Sequence, residues 1–223
     1  MPLLYSIGKV TVGKAMILGW RPRVEGLEHV PATGGAVFAG NHLSVADELF
    51  LGSVVPRHLA FWAKSEYFDG KGLKGWFNRN LLEGLGAIPV LKGGDAVALY
   101  PEGTRSPDGR LYKGKTGVAR MALEAGVPVV PVAMIGTDEV HRMGSRIWRP
   151  HRVHIRIGAP LDFSRYAGMA GDRFIERSMT DEIMYTLMEL SGQTYVDKYA
   201  ASVKERAAAQ AREAARLPDT KAG

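Results

Sequence analysis

The residues best suited to chemistry in this chain are His42 and Asp47, in the run Asn41-His42-Leu43-Ser44-Val45-Ala46-Asp47, and the later run Tyr100-Pro101-Glu102-Gly103-Thr104-Arg105-Ser106. An imidazole serves as a general base when a second group fixes which ring nitrogen carries the proton, and a neighbouring carboxylate does so. An arginine in a glycine-containing loop binds phosphate, with a fork of side-chain donors and further donors from the backbone. In this order the first run offers a base and its orienter and the second an anion site. Together they predict acyl transfer to a phosphate-bearing alcohol.

These groups need elements to position them. Gly34-Gly35-Ala36-Val37-Phe38-Ala39-Gly40 reads as a buried strand that delivers Asn41 and His42 at its end. Ser44 and Asp47 have the spacing of a capping box, so a helix running through Leu49, Phe50 and Leu51 is expected to start at Ser44, leaving His42 just outside it. On one continuous helix His42 and Asp47 would lie roughly 140° apart, and a break between them lets them converge. Two readings stand here: Asp47 orients the imidazole, or Asp47 is only the capping-box acid and His42 a polar strand end.

Val97-Ala98-Leu99-Tyr100 reads as a second buried strand with Pro101 to Arg105 leaving its end, the position that ligand loops favour in open α/β sheets. Arg105 and the backbone N–H groups of Gly103 and Thr104 form the expected anion site, and Glu102 is expected to orient the arginine or the acceptor. Taken alone, this loop is equally a Pro-Glu-Gly turn with a surface arginine. A helix from Lys115 to Ala125 ends at Gly126. The apolar run Val127 to Ile135 follows with two prolines, which predict an edge strand or a strand walling an acyl-chain groove, against a plain core strand. His151 to Ile157 alternates as a half-buried strand, and His141, His151 and His154 lack metal-ligand spacing and read as surface histidines. The chain is helical from Thr180, and Ala200 to Arg216 reads as a solvated helix.

With 223 residues, 46% of them hydrophobic, the chain can bury one substantial core. It has no cysteine, which excludes thiolate nucleophiles, Cys-based zinc sites and disulfide frameworks. A net charge of +6 and a pI near 9.5 favour anionic partners. Lys9 and Lys14 interrupt the most apolar N-terminal stretch, so no bilayer span is expected. Met1 to Trp20 reads either as a helix lying on a membrane surface or as one packed on the protein's own core. Lys71, Lys74, Trp76, Phe77 and Arg79 fit an interfacial loop or a solvated one. The expected organisation is an N-terminal membrane-surface helix (1–24), a catalytic domain (25–200) and a C-terminal helical tail (201–223).

Asn41-His42 with Asp47, Tyr100 to Ser106, and the proline-containing run Val127 to Val132 occur in the order seen in the glycerolipid acyltransferases typified by 1-acylglycerol-3-phosphate acyltransferase, and the chain resembles that family from about Gly26 to Tyr199. The resemblance implies a single-domain α/β fold, a mixed sheet flanked by helices, with N-terminal amphipathic and C-terminal helices. It implies His42 as general base, Asp47 as its partner, and Asn41, Glu102, Gly103, Thr104 and Arg105 around a glycerol-phosphate acceptor. It further implies acyl-CoA or acyl carrier protein as donor substrate, no cofactor or metal, no nucleic acid partner, and peripheral attachment to an anionic membrane surface at the cytoplasmic face. Two departures are visible. Lys92 stands where the family carries an arginine after Gly86-Ala87-Ile88-Pro89-Val90, and it supplies a point charge but not a bidentate fork. Only Leu91 to Ala96 separates Ile88–Val90 from Val97–Tyr100, too little for a parallel crossover, so either a Gly93-Gly94 hairpin forms or a helix and a phosphate ligand are missing.

Two rivals remain at this point. Gly109-Arg110-Leu111-Tyr112-Lys113-Gly114-Lys115-Thr116 satisfies the P-loop pattern literally, although a polar turn and not a buried strand precedes it. The basic and aromatic segments, with the short connection, also fit a non-catalytic lipid-surface module.

Overall fold

A computed structural model describes residues 9–61 and 91–214. The expected loop from Lys71 to Arg79 and the Gly86 to Val90 stretch lie outside the described residues, as do Leu3, Leu4 and Ile7.

The organising element is strand β2 (Ala36–Gly40), every residue of which is buried. A run without polar side chains is stable in a sheet only if both faces are covered, and here both are. β2 pairs in parallel with β4 (Ala96–Leu99) on one side and with β6 (Val129–Ile135) on the other. β3 (Leu59–Phe61) lies parallel beyond β4, while β7 (His154–Ile157) runs antiparallel to β6 and pairs with the outermost strand β1 (Arg23–Glu25). The sheet order is therefore β1-β7-β6-β2-β4-β3.

Alternation along β2 divides the core in two. Ala36 and Phe38 face a cluster with Phe50 and Leu51 of α2 (Ala46–Val54) and Met16 of α1 (Lys14–Trp20). Val37 and Ala39 face Val118 and Ala122 of α3 (Gly117–Ala125) and Met179, Ile183 and Leu187 of the long helix α5 (Arg173–Ser191), α4 being the short Thr137–Val140. This is the mixed sheet flanked by helices that the sequence predicts. A small parallel pair, β5 (Leu111–Tyr112) with β8 (Tyr195–Val196), and a last helix α6 (Ala200–Ala214) complete the described chain.

At the N-terminus a π-helical turn (Lys9–Gly13) leads into α1. Met16 is buried in the core and Trp20 packs edge-on against Phe50 and Trp148, at centroid distances of 6.2 and 5.8 Å. Val12, Ile17 and Leu18 are exposed, Leu18 at 74%. One face of this segment thus packs on the protein and another stays apolar and open. β1 crosses the expected boundary at residues 24 and 25, joining the N-terminal segment to the main sheet.

Three sequence expectations change. The proline-containing β6 is an interior strand and not an edge. Its ladder with β7 runs from Val132 to Ile135, and Pro131 lies where that ladder has ended: the Pro131 carbonyl accepts from Gly158 N at 2.8 Å, and Val129 re-pairs with Leu161. A residue's N and C=O point to the same side of a strand, so the missing N–H falls at this break, where no ladder acceptor waits. The Gly93-Gly94 hairpin does not form: Leu91 and Lys92 are helical, and both sides of β4 are taken by parallel partners. Parallel β3 and β4 are joined across residues 62–95, ample for a crossover. Finally, α5 begins at Arg173, ahead of the expected Thr180, because Asp172 caps it by accepting from the N–H groups of Phe174 and Ile175.

Candidate active site

The chain leaves the C-terminal end of β2 at Gly40 and turns sharply through Asn41, His42 and Leu43 before α2 begins at Ala46. One carboxylate oxygen organises this turn. Asp47 Oδ2 accepts from Leu43 N at 2.8 Å, from Ser44 N at 2.9 Å and lies 2.9 Å from His42 Nδ1. The same carboxylate oxygen thus meets the Ser44 N–H and the imidazole, so Asp47 is more than a capping acid; α2 itself starts at Ala46, after Val45, which makes no side-chain cap bond, and not at the expected Ser44, whose hydroxyl donates to the His141 carbonyl. Asp47 is wholly buried, while the His42 side chain is 14% exposed. With Nδ1 held by the carboxylate, Nε2 is the nitrogen left to exchange a proton with a bound molecule. Asp47 Oδ1 is buried without a hydrogen-bond partner among the described residues.

The loop after β4 grips His42 by its backbone. Glu102 Oε1 accepts from His42 N at 2.9 Å, and the His42 carbonyl accepts from Ser106 N at 2.7 Å. The second Glu102 oxygen accepts from Tyr112 N at 2.9 Å. Glu102 is therefore a buried clip that joins its own loop to the His42 turn and to strand β5, in place of the expected role of orienting Arg105 or an acceptor. Burial pushes its carboxyl up to about 7, against the two backbone N–H bonds that pull it down. Gly103, at φ 70°, makes the turn that closes on the Tyr100 carbonyl, and a side chain there would meet the end of Lys115 at 3.1 Å.

Tyr100 is a contact that sequence reasoning missed. Its ring stacks on the His42 imidazole, with centroids 4.0 Å apart and planes 10° off parallel. Gly40 permits this approach, since a Cβ there would stand 3.2 Å from the tyrosine ring. The phenol oxygen is buried without a partner among the described residues, and burial, followed by the Asp47 and Glu48 carboxylates, pushes its pKa well above the ordinary value. Glu48, the next residue along α2, has its pKa pushed up by burial and by the Asp47 carboxylate, with His42 and Arg105 pulling it back.

The remaining site candidates separate. Arg105 is half-buried and makes no hydrogen bond or ion pair among the described residues, so its donors are unspent. Thr104 accepts from Lys204 Nζ at 3.0 Å, which brings the first turns of α6 onto this loop and makes α6 more than the solvated tail expected. Asn41 is buried and its amide is consumed: Nδ2 donates to the Met134 carbonyl and to Gln193 Oε1, and Oδ1 accepts from Met134 N. It ties β2 to β6 and has no donor left for an acceptor. Lys92 precedes β4, at the edge of the sheet opposite His42, because β2 and β4 run in parallel away from it. A strand of this length separates the two edges by about 15 Å, so Lys92 is not part of the phosphate site.

The P-loop reading fails on geometry. Leu111 and Tyr112, in the middle of that pattern, form a fully buried strand whose backbone serves Glu102 and β8, leaving no phosphate cradle. No group of three or more His, Asp or Glu residues among the described residues is placed to hold a metal ion.

The comparisons with known proteins agree with this geometry. A family model described as Acyltransferase matches residues 21–135, a span that includes His42, Asp47 and the whole Glu102 to Arg105 loop. The chain is 31% identical to the chloroplastic 1-acyl-sn-glycerol-3-phosphate acyltransferase of Arabidopsis thaliana, over 72% of this chain and 49% of that protein. It is 27% identical to the 1-acyl-sn-glycerol-3-phosphate acyltransferase of Bacillus subtilis, over 77% of this chain and 88% of that one. It spans about half the length of the plant and mammalian relatives it matches, 49% and 55% for those of Arabidopsis thaliana and Ovis aries. The crystal structure of the 1-acyl-sn-glycerophosphate acyltransferase of Thermotoga maritima superposes with a TM-score of 0.63 at 25% identity, covering 83% of this chain and 79% of that one. A histidine held by a buried carboxylate, and clamped by the loop that carries Arg105, lies within a family match that spans more than half of the sequence, and the chain belongs to the acyltransferase family.

Proposed function

We propose that this protein transfers a fatty acyl group from acyl-CoA or acyl carrier protein to the free hydroxyl of a lysophospholipid, 1-acylglycerol-3-phosphate being the acceptor that the site favours and phosphatidic acid the product. His42 Nε2 takes the hydroxyl proton as the oxygen attacks the thioester carbonyl. The tetrahedral intermediate expels the thiolate, which takes up a proton as the free thiol. Asp47 holds Nδ1 and stabilises the imidazolium formed on the way. Arg105 binds the acceptor phosphate as a charge-assisted fork, with Gly103 and Thr104 shaping the loop around it, and this turns an encounter into an oriented attack. The observation that carries the reading is the double clamp on His42, whose ring is held by Asp47 and whose backbone is held by the arginine loop itself.

No helix among the described residues is long and apolar enough to cross a membrane. The open apolar face of α1, with Leu18 and Ile17 exposed beside Lys14, supports a peripheral association with an anionic membrane, whose cytoplasmic face is the side this reading assigns. The non-catalytic reading rests on the basic and aromatic segments together with the short connection, and the thiol-release test below separates it from catalysis.

The test is acceptor-dependent thiol release from palmitoyl-CoA with lysophosphatidic acid in the presence of liposomes, comparing the wild-type chain with His42→Ala. Release that the substitution abolishes supports the mechanism. Release that persists in His42→Ala overturns it, and a folded wild type silent with every acyl-CoA, acyl carrier protein and lysophospholipid pair overturns the assignment of activity.

A further inference from the structure

Residues 142–152, Arg-Met-Gly-Ser-Arg-Ile-Trp-Arg-Pro-His-Arg, carry four arginines and no acid. Only Arg142 is paired, with Glu139; Arg146, Arg149 and Arg152 are exposed and form no ion pair among the described residues. Two apolar side chains interrupt the basic ones and also point to solvent, Ile147 at 67% exposure and Met143 at 47%. Singly exposed apolar residues are common; here the two alternate with exposed arginines in one short loop, which makes its surface both basic and apolar.

This loop is built onto the N-terminal helix. Trp148 meets the Trp20 ring edge-on at 5.8 Å, and Trp20 Nε1 donates to the Arg149 carbonyl at 2.8 Å. Arg149 N in turn donates to the Val140 carbonyl, so the loop is pinned at its base while its tips stay free. The other end reaches the catalytic turn, where Ser44 Oγ donates to the His141 carbonyl at 2.8 Å. The basic and apolar loop is therefore fixed to the C-terminal end of α1 and to the turn that carries His42.

We propose that residues 142–152 form a second membrane-docking element, which selects anionic bilayers. Its arginines engage lipid phosphates while Ile147 and Met143 enter the boundary between headgroups and acyl chains. Charge complementarity decides the occupant: three unpaired guanidinium groups match an anionic lipid surface, and aliphatic tips between them match the apolar layer beneath. A nucleic acid would gain from the arginines and nothing from Ile147. The proposal deepens the reading of a membrane-resident acceptor, and its test reads partition and not turnover, so that either can fail alone.

The experiment is co-sedimentation of the full chain with vesicles of phosphatidylcholine alone and of phosphatidylcholine with 30% phosphatidylglycerol, in about 0.1 M salt. The wild type is expected to favour the anionic vesicles and to lose that preference as salt is raised. R146E/R149E/R152E is expected to reduce partition onto anionic vesicles by roughly 100-fold, as three basic side chains near such a surface contribute. Ile147→Asp is expected to reduce it several-fold while leaving the net preference for anionic lipid. His42→Ala should partition as the wild type does. Circular dichroism of each variant shows whether the fold is kept, and the salt series on the wild type needs no variant. A charge-reversed loop that binds within about two-fold of the wild type, or a wild-type partition indifferent to both salt and lipid charge, overturns the proposal.

Discussion

Arg57 and Arg105 lie at opposite ends of the same parallel strands and meet opposite fates. Arg57 stands at the end where β2 and β4 begin and donates to the carbonyls of Pro31, Gly34 and Gly94, at 2.7, 2.7 and 2.9 Å. Arg105 follows β4 at the other end and has no such partner among the described residues. Both are half-buried, and both border glycine-containing loops. The first guanidinium satisfies main-chain carbonyls of the fold; the second has no such bond among the described residues, and the proposed function assigns it to the acceptor phosphate. The same contrast separates Asn41, consumed by Met134 and Gln193, from its neighbour His42, whose ring has one nitrogen free.

Substitutions at the two ends test that contrast. The largest effect belongs to His42→Ala, expected to lower acceptor-dependent thiol release by about 10²- to 10⁴-fold with an unchanged circular dichroism spectrum; activity near the wild-type level would break the distinction at its centre. Next comes Arg105→Ala, expected to cost roughly 10- to 100-fold in kcat/KM for a phosphorylated acceptor, mostly through KM, as loss of a charge-assisted contact would. Its urea midpoint should stay where it is, and a fall in that midpoint would mean that the arginine serves the fold after all. Arg57→Ala should show the reverse, losing about 1–3 kcal/mol in urea unfolding with kcat/KM held within about two-fold, because three carbonyls lose a charged donor.

Glu102 gives a smaller effect with a defined pH signature. Its carboxyl is raised from 4.5 to about 7 in the folded protein, so between these values the folded state holds a proton that the unfolded chain releases. Stability from this group is full below about pH 4.5 and is lost as pH rises through about 7. Thermal midpoints measured across this window should fall with pH in the wild type, and Glu102→Gln should lack that component. The amide would also turn a donor toward one of two backbone N–H groups, so a lower midpoint is expected at every pH. The smallest effect is that of Lys92→Ala, expected to leave kcat/KM within about two-fold; a larger loss would place it at the acceptor, contrary to its position at the start of β4.

Much of this was legible in the chain. The glycine-bounded apolar run at residues 34–40 predicted a strand buried on both faces, and the break after it correctly separated His42 from the helix that carries Asp47. Prolines misled, because a proline count forbids an interior strand only when every N–H is needed, and at Pro131 the ladder toward β7 has already ended. Lys92 misled for another reason: proximity to a motif in sequence says nothing about which end of a parallel strand a residue occupies. Tyr100 was read only as the end of a strand, since no spacing rule reports that two rings will stack across neighbouring strands. Ser106 left no signal because it acts on His42 through its backbone N–H, which every residue but proline possesses, and Gln193 left none because its side-chain amide meets Asn41 from 152 positions away.

Sequence alone determined the kinds of chemistry available: an imidazole with a carboxylate within reach, an arginine in a glycine turn, no thiol, and hydrophobic runs whose period and length commit them to strands or helices. These are local properties, carried by side-chain type and by spacing along one chain. Tertiary structure decided which groups remain free to act. Asn41 and Arg57 were taken up by main-chain atoms from distant segments, Glu102 by the backbone of His42 and Tyr112, and Arg105 was left with its donors unspent. Buried hydrogen-bonding groups must find partners, and which partners are near depends on the order and direction of strands.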